Sequence, residues 1–213
     1  DAFVGSHKRV WCAEEGDNSV KFSIEMEDGD MGFPGNKKIS VTYTLTEENE
    51  LKLCYTGSSD KDTVFNMTNH AYFNLDGHGA GNILDHVLTL NAKYFTEIVP
   101  GAIPTGKLLP VEGTPMDFTS PKRIGDEIDA DWEQLALTDG YDHNWCLDNY
   151  DGNVRLVAEV TNGSGSRTMQ VYTDLPGVQF YAANSTEDLN GKGGAKYAPR
   201  CALCLETQFY PNA

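Results

Sequence analysis

Alternation of apolar and polar residues with a period of two recurs along this sequence, over residues 20–25, 39–45, 51–55, 87–91, 154–160, 168–172 and 178–182. That period puts successive side chains on opposite sides of an extended chain, the pattern of strands that bury one face. The breaks between the runs carry turn chemistry, as in Asp28-Gly29-Asp30, Pro34-Gly35-Asn36, Asp151-Gly152-Asn153 and Asn162-Gly163, where Gly and Asn adopt positive φ at low cost. The expected class is therefore all-β, with mostly antiparallel strands, hairpin connections and very little helix. The best helical signal is Ser120-Pro121-Lys122-Arg123-Ile124-Gly125, a capping serine followed by proline, good for one or two turns. No solenoid or propeller period is present, so a large sandwich or barrel is the expected architecture.

The 213 residues fit a single domain, 1–213, and the 21 glycines suit tight turns better than long helices. A formal charge of −16 repels phosphate backbones and anionic lipid headgroups, so the expected partners include neither nucleic acid nor membrane, and a neutral small ligand is compatible with it. No apolar stretch is long enough to span a bilayer, and the first residues lack the layout of a secretory signal. Five cysteines at positions 12, 54, 146, 201 and 204 form no regular disulfide framework and favour a reducing compartment. Three glycosylation-type triplets, beginning at Asn66, Asn162 and Asn184, point the other way. The cytoplasm is the expected location; the oligomeric state is open.

Chemistry-bearing residues fall in four places. Read as a strand, residues 66–75 carry Asn66, Thr68, His70, Tyr72 and Asn74 on one face, a mixture of donors, acceptors and an aromatic ring that suits sugar hydroxyls and sugar C–H faces. His70, which titrates near neutrality, sits on that face. In residues 201–208, alternation groups Ala202, Cys204, Glu206 and Gln208, so Glu206 is an ionisable group amid apolar strand residues with small neighbours beside it. Such a carboxylate must be paired, protonated or facing a cleft, and a raised pKa there suits a general base. Gln179 and Tyr181 share a face in the run 176–184, while residues 139–145 pack Asp139, Asp142, His143, Tyr141 and Trp145 into a dense turn-like segment. The stretch 96–139, rich in Pro, Gly and acidic residues, reads as a long loop of the kind that lines binding sites.

Other motifs carry less. His70, His78 and His86 recur every eight residues, a spacing that fits no short zinc pattern, and Cys201 and Cys204 would point to opposite faces of a strand and lack a partner pair. Gly77, Gly79 and Gly81 do not open a helix after a strand, so they form no phosphate cradle. No metal is expected.

Four ordered segments, Thr68-Asn69-His70-Ala71-Tyr72-Phe73-Asn74-Leu75, Asp139-Gly140-Tyr141-Asp142-His143-Asn144, Pro176-Gly177-Val178-Gln179-Phe180-Tyr181 and Cys204-Leu205-Glu206-Thr207-Gln208, resemble the signatures of the aldose 1-epimerases, the galactose mutarotases. Residues 30–35 and 103–106 extend the likeness over nearly the whole chain. The resemblance implies a β-supersandwich and an enzyme that interconverts the α and β anomers of free hexoses such as galactose and glucose, without a cofactor. It implies His70 as general acid, Glu206 as general base, and Asp142 and Gln179 as ligands of the sugar hydroxyls. Relatives carry an arginine and a further histidine upstream, and further strands downstream, so the expectation is a domain lacking its N-terminal and C-terminal portions. The alternatives are a hexose-6-phosphate 1-epimerase, which would want clustered arginines where Arg9, Arg123, Arg155, Arg167 and Arg200 are scattered, and a non-catalytic sugar-binding homologue.

Overall fold

A computed structural model describes residues 5–186 and 189–212, which group into two compact units, Asp1–Met67 and Thr68–Ala213. The first unit is a four-stranded antiparallel meander of β1 (Cys12–Gly16), β2 (Ser19–Met26), β3 (Lys37–Leu45) and β4 (Leu51–Ser59). Asp17 and Asn18 close its first hairpin, Asn18 at φ 51°, the left-handed conformation that asparagine tolerates. Its apolar cluster is small: Ile24, Met26 and Ile39, with Trp11, Met31, Phe65 and Met67 packed around them. The buried Lys37 ammonium compensates by donating to the carbonyls of Glu27, Phe33 and Gly35, which ties down the irregular segment ahead of β3.

The second unit holds β5 (Val87–Leu90), β6 (Tyr94–Val99), β7 (Ile103–Pro110), β8 (Lys122–Arg123), α1 (Glu133–Ala136), β9 (Asp142–Cys146), β10 (Arg155–Thr161), β11 (Thr168–Thr173), β12 (Gly177–Tyr181), β13 (Leu189–Asn190), β14 (Lys196–Tyr197) and β15 (Cys204–Gln208). Its main sheets run β11-β10-β5-β8 and β15-β12-β9-β6-β7, and every pairing is antiparallel. Both sheets send residues into one core, Leu88, Leu90, Val157 and Val160 from the first and Phe95, Trp145, Val178, Phe180 and Leu205 from the second. The rings of Phe118, Tyr141, Trp145 and Phe180 meet there at 5.1–6.2 Å between centroids. All-β architecture with very little helix is what the alternation predicts, and α1 is a four-residue helix.

Three local expectations are corrected. Residues 66–75 do not form a strand: only Phe73 pairs, exchanging backbone bonds of 2.8 and 2.9 Å with Leu203. Asn69 and Asn74 draw the backbone away from a ladder, because their side-chain oxygens accept from the amides of Ala71 and Asp76, two residues on. The helix expected at residues 120–125 is instead the short strand β8 followed by a 3₁₀ turn over Ile124–Asp126, where pairing with β5 takes the backbone bonds. Residues 96–139 are not one loop either, since they include most of β6, all of β7 and β8, and α1.

Candidate active site

Register on the five-stranded sheet decides which side chains meet. Gln179 of β12 stands opposite Glu206 of β15 on one side and Asn144 of β9 on the other, while Tyr181 stands opposite Asp142 and Cys204. Residues directly opposite in an antiparallel pair share a face, and the period of two adds Gln208 beside Glu206. The opposite face carries Phe180, Trp145 and Leu205 into the core. One sheet thus presents apolar rings inward and a row of carboxylates and amides outward.

That row forms the floor of a cavity of about 440 Å³, within the range of small-ligand sites. Its walls include His70, Tyr72, Thr96, Ile98 and Pro104. All four sequence candidates, His70, Asp142, Gln179 and Glu206, line it. The irregular backbone of 66–75, pinned through Phe73 to Leu203, carries His70 over the sheet, with its Nε2 3.5 Å from Glu206 Oε1. The imidazole lies half exposed, stacked on Tyr72 at 5.1 Å and edge-on to Tyr181 at 6.0 Å, whereas Glu206 is almost entirely buried.

Burial pushes the Glu206 carboxyl up to about 6; His70 opposes that rise and the Asp142 charge adds to it. Asp142 is also raised by burial, against the pull of a 2.8 Å bond donated by Gln179 Nε2 to its Oδ1 and of His70. The row continues through Gln208, whose Nε2 donates to Asn144 Oδ1 at 3.2 Å. Gly177 makes room for this, since a Cβ there would stand 2.5 Å from Asn144 Oδ1. Chemically, the arrangement offers a carboxylate that gains a proton just below neutrality, an imidazole in contact with it, and amides and a second carboxylate positioned for hydroxyl groups.

His143 faces away from its neighbours Asp142 and Asn144, as Tyr141 and Trp145 do. It points to the core side, packed edge-on against Phe95 and Trp145, and burial lowers its pKa to about 4. The turn at 139–145 is confined to Asp139 and Gly140, both at positive φ, and strand β9 begins two residues on. Sequence reading assigned no role to Asn144, although it ends one of the family-like segments and lies two residues from Asp142; Thr96 and Pro104, which wall the cavity, fall in the stretch 96–139 that the sequence marks as lining a site. Two of the glycosylation-type asparagines are engaged internally, Asn162 with Asp76, Ser164 and Ser166, and Asn184 with the carbonyls of Thr138 and Tyr141.

The model of the family described as aldose 1-epimerase matches residues 3–213. The chain belongs to that family. Among curated aldose 1-epimerase relatives, the galactose mutarotase of Sus scrofa is 39% identical over 210 residues, which is 98% of this chain and 59% of the relative. The aldose 1-epimerase of Escherichia coli K12 is 36% identical, over 98% of this chain and 60% of the relative. The crystal structure of a GalM/aldose epimerase homologue from C. elegans matches with a TM-score of 0.81 at 29% identity, covering 95% of this chain and 60% of that one. Galactose 1-epimerase from Lactobacillus acidophilus NCFM matches at 0.80 and 29%, over 95% of this chain and 59% of that one. The fold is thus galactose mutarotase-like, and the chain spans about 60% of the length of the aldose 1-epimerase relatives it matches. No helix among the described residues is long and apolar enough to cross a membrane.

Proposed function

We propose that this chain carries the acid–base centre of an aldose 1-epimerase that interconverts the α and β anomers of free hexoses such as galactose and glucose. The observation that carries the reading is the contact of His70 Nε2 and Glu206 Oε1 at 3.5 Å on a cavity floored by hydrogen-bonding groups. The ring oxygen and the anomeric hydroxyl of a hexose share one carbon, so the two groups that address them must stand close together. Glu206 takes the proton of the anomeric hydroxyl while His70 protonates the ring oxygen. The C1–O5 bond breaks, rotation about C1–C2 exposes the other face of the aldehyde, and reversal of the proton transfers closes the other anomer. Asp142 and Gln179 hold sugar hydroxyls, and their mutual bond fixes the orientation of both. The sugar supplies leaving and attacking oxygens, so the reaction calls for no cofactor.

A 6-phosphorylated substrate fits less well. No Lys or Arg lines the cavity among the described residues, and Arg123, Arg155, Arg167 and Arg200 are engaged with Asp85, backbone carbonyls, the Leu75 carbonyl and Asp129. The family match runs through both compact units, which supports reading residues 1–213 as part of one mutarotase-like domain. The five cysteines, all free thiols, support a cytoplasmic location.

Polarimetry on freshly dissolved α-galactose tests the reading: the chain accelerates the approach to the anomeric equilibrium, and glucose 6-phosphate turns over more slowly than glucose. Galactose binding in calorimetry without acceleration would instead identify a non-catalytic sugar-binding homologue.

A further inference from the structure

Beneath the His70–Glu206 pair lies a third side chain with a metal-binding atom. Cys204 precedes Glu206 by two residues on β15 and so occupies the same face of the sheet, fully buried. Its Sγ, a ring nitrogen of His70 and a carboxylate oxygen of Glu206 all lie within 4.8 Å of one another, and among the described residues no other three His, Cys, Asp or Glu side chains converge in this way.

We propose that His70, Cys204 and Glu206 form a binding site for a thiophilic divalent cation, Zn²⁺ foremost, which inhibits the protein by occupying its acid and base together. Tetrahedral zinc with bonds of about 2.3 Å to sulfur and about 2.0–2.1 Å to nitrogen and oxygen holds its ligand atoms roughly 3.3–3.6 Å apart. His70 and Glu206 already stand at 3.5 Å. The remaining separations lie within 4.8 Å and need a closure of about 1.5 Å at most, shared between rotation of the half-exposed His70 and adjustment of the Cys204 and Glu206 side chains. One sulfur, one imidazole nitrogen and one carboxylate oxygen select Zn²⁺ or Co²⁺ over the hard ions Mg²⁺ and Ca²⁺. Three protein ligands leave the fourth position to water, the layout of an open rather than a sealed zinc site.

The surroundings favour a cation as well. Asp142 adds a further carboxylate to the neighbourhood of both Cys204 and Glu206, and no Lys or Arg among the described residues lines the cavity beside them. On coordination the thiol proton passes to the buffer, sulfur, nitrogen and oxygen each donate a lone pair, and no electron is transferred. The cation is thus a competitor of the sugar rather than a cofactor, an effect that rests on the acid–base reading above, whereas its binding does not.

Titrating Co²⁺ into the chain under reducing conditions tests the site without reference to activity. The expected result is a thiolate-to-cobalt charge-transfer absorption that saturates at one equivalent, is displaced by Zn²⁺, is lost in Cys204→Ala and persists in Cys201→Ala. Glu206→Gln, which keeps the shape of the side chain, should weaken binding by about tenfold or more. Absence of the absorption in the unaltered chain, or its survival in Cys204→Ala, would overturn the site. In a parallel polarimetric assay, Zn²⁺ slows the mutarotation of the unaltered chain and a chelator restores it, while the rate of Cys204→Ala, whatever its basal value, ceases to respond. A chain that binds cobalt but does not accelerate mutarotation overturns the functional reading alone; one that accelerates mutarotation but gives no thiolate absorption overturns the cation site alone.

Discussion

Gln179 Nε2 donates to Asp142 Oδ1 over 2.8 Å, from a position on β12 two residues before Tyr181, the one that faces Asp142. This bond holds a partly buried carboxylate whose charged form burial disfavours. Gln179→Ala removes the donor and leaves Asp142 freer to turn and more prone to bind a proton. A hydrogen bond to a charged group contributes about 1.5–3 kcal/mol, so galactose affinity should drop by roughly one to two orders of magnitude. Calorimetric titration with galactose checks it; an unchanged affinity would mean that neither Gln179 nor the orientation of Asp142 matters to the sugar.

Glu206→Gln separates chemistry from folding. The amide keeps the side-chain shape but cannot take the anomeric proton, so the mutarotation rate should fall by about 10²- to 10⁴-fold. Stability should not fall with it, because burying a carboxylate carries a desolvation cost that an amide reduces. The paired measurement is polarimetric rate against the urea midpoint. A rate loss accompanied by a collapse of the midpoint would mark Glu206 as structural.

Most of the architecture is legible in the alternation, because residues facing a core on one side must repeat every two positions. The runs at 39–45, 168–172 and 178–182 correspond closely to β3, β11 and β12. The grouping of Glu206 with Gln208, and of Gln179 with Tyr181, follows from the same rule. What alternation cannot supply is register: that Gln179 lies between Glu206 and Asn144 depends on pairing partners separated by dozens of residues. The segment carrying His70 misled for a different reason. Its polar and apolar residues do alternate, but Asn69 and Asn74 spend their side chains on nearby amides and carbonyls, and the backbone follows them rather than a neighbouring strand.

His143 should make the fold sensitive to acid. Buried against Phe95 and Trp145, it stays neutral down to about 4, whereas in the unfolded chain it takes a proton near its ordinary 6.5. The unfolded state therefore binds more protons between those values, and the stability contributed by neutral His143 is intact above pH 6.5 and lost as pH falls toward 4. The full loss is about 3 kcal/mol. Glu206 works in the opposite sense, since its folded pKa of about 6 exceeds the unfolded value of 4.5 and favours the fold as pH falls through that window. Comparing urea unfolding of the parent with His143→Leu at pH 7 and pH 4.5 isolates the histidine: the gap between the two should shift in favour of the variant by roughly 2–3 kcal/mol at the lower pH. A constant gap would show that His143 titrates alike in both states.

The site side of the sheet leaves no space for one added methyl group. Gly177 pairs with Gln208 on one side and Cys146 on the other, and a Cβ at this position would stand 2.5 Å from Asn144 Oδ1, 3.0 Å from a Tyr210 ring carbon and 3.2 Å from the Gln208 carbonyl. Its φ is not in the left-handed region, so alanine is excluded by contact rather than by backbone conformation. Gly177→Ala should therefore cost about 1–3 kcal/mol through overpacking and push the Asn144 amide away from Gln208, loosening the row that ends at Asp142. If the clash with Asn144 dominates, removing that side chain relieves it: Gly177→Ala combined with Asn144→Ala should be destabilised by less than the sum of the two single changes. The non-additive part, measured by urea unfolding, is expected at about 0.5–3 kcal/mol. Strict additivity would place the strain on the Gln208 carbonyl and Tyr210 instead, and galactose affinity in Gly177→Ala would then survive even as the midpoint falls.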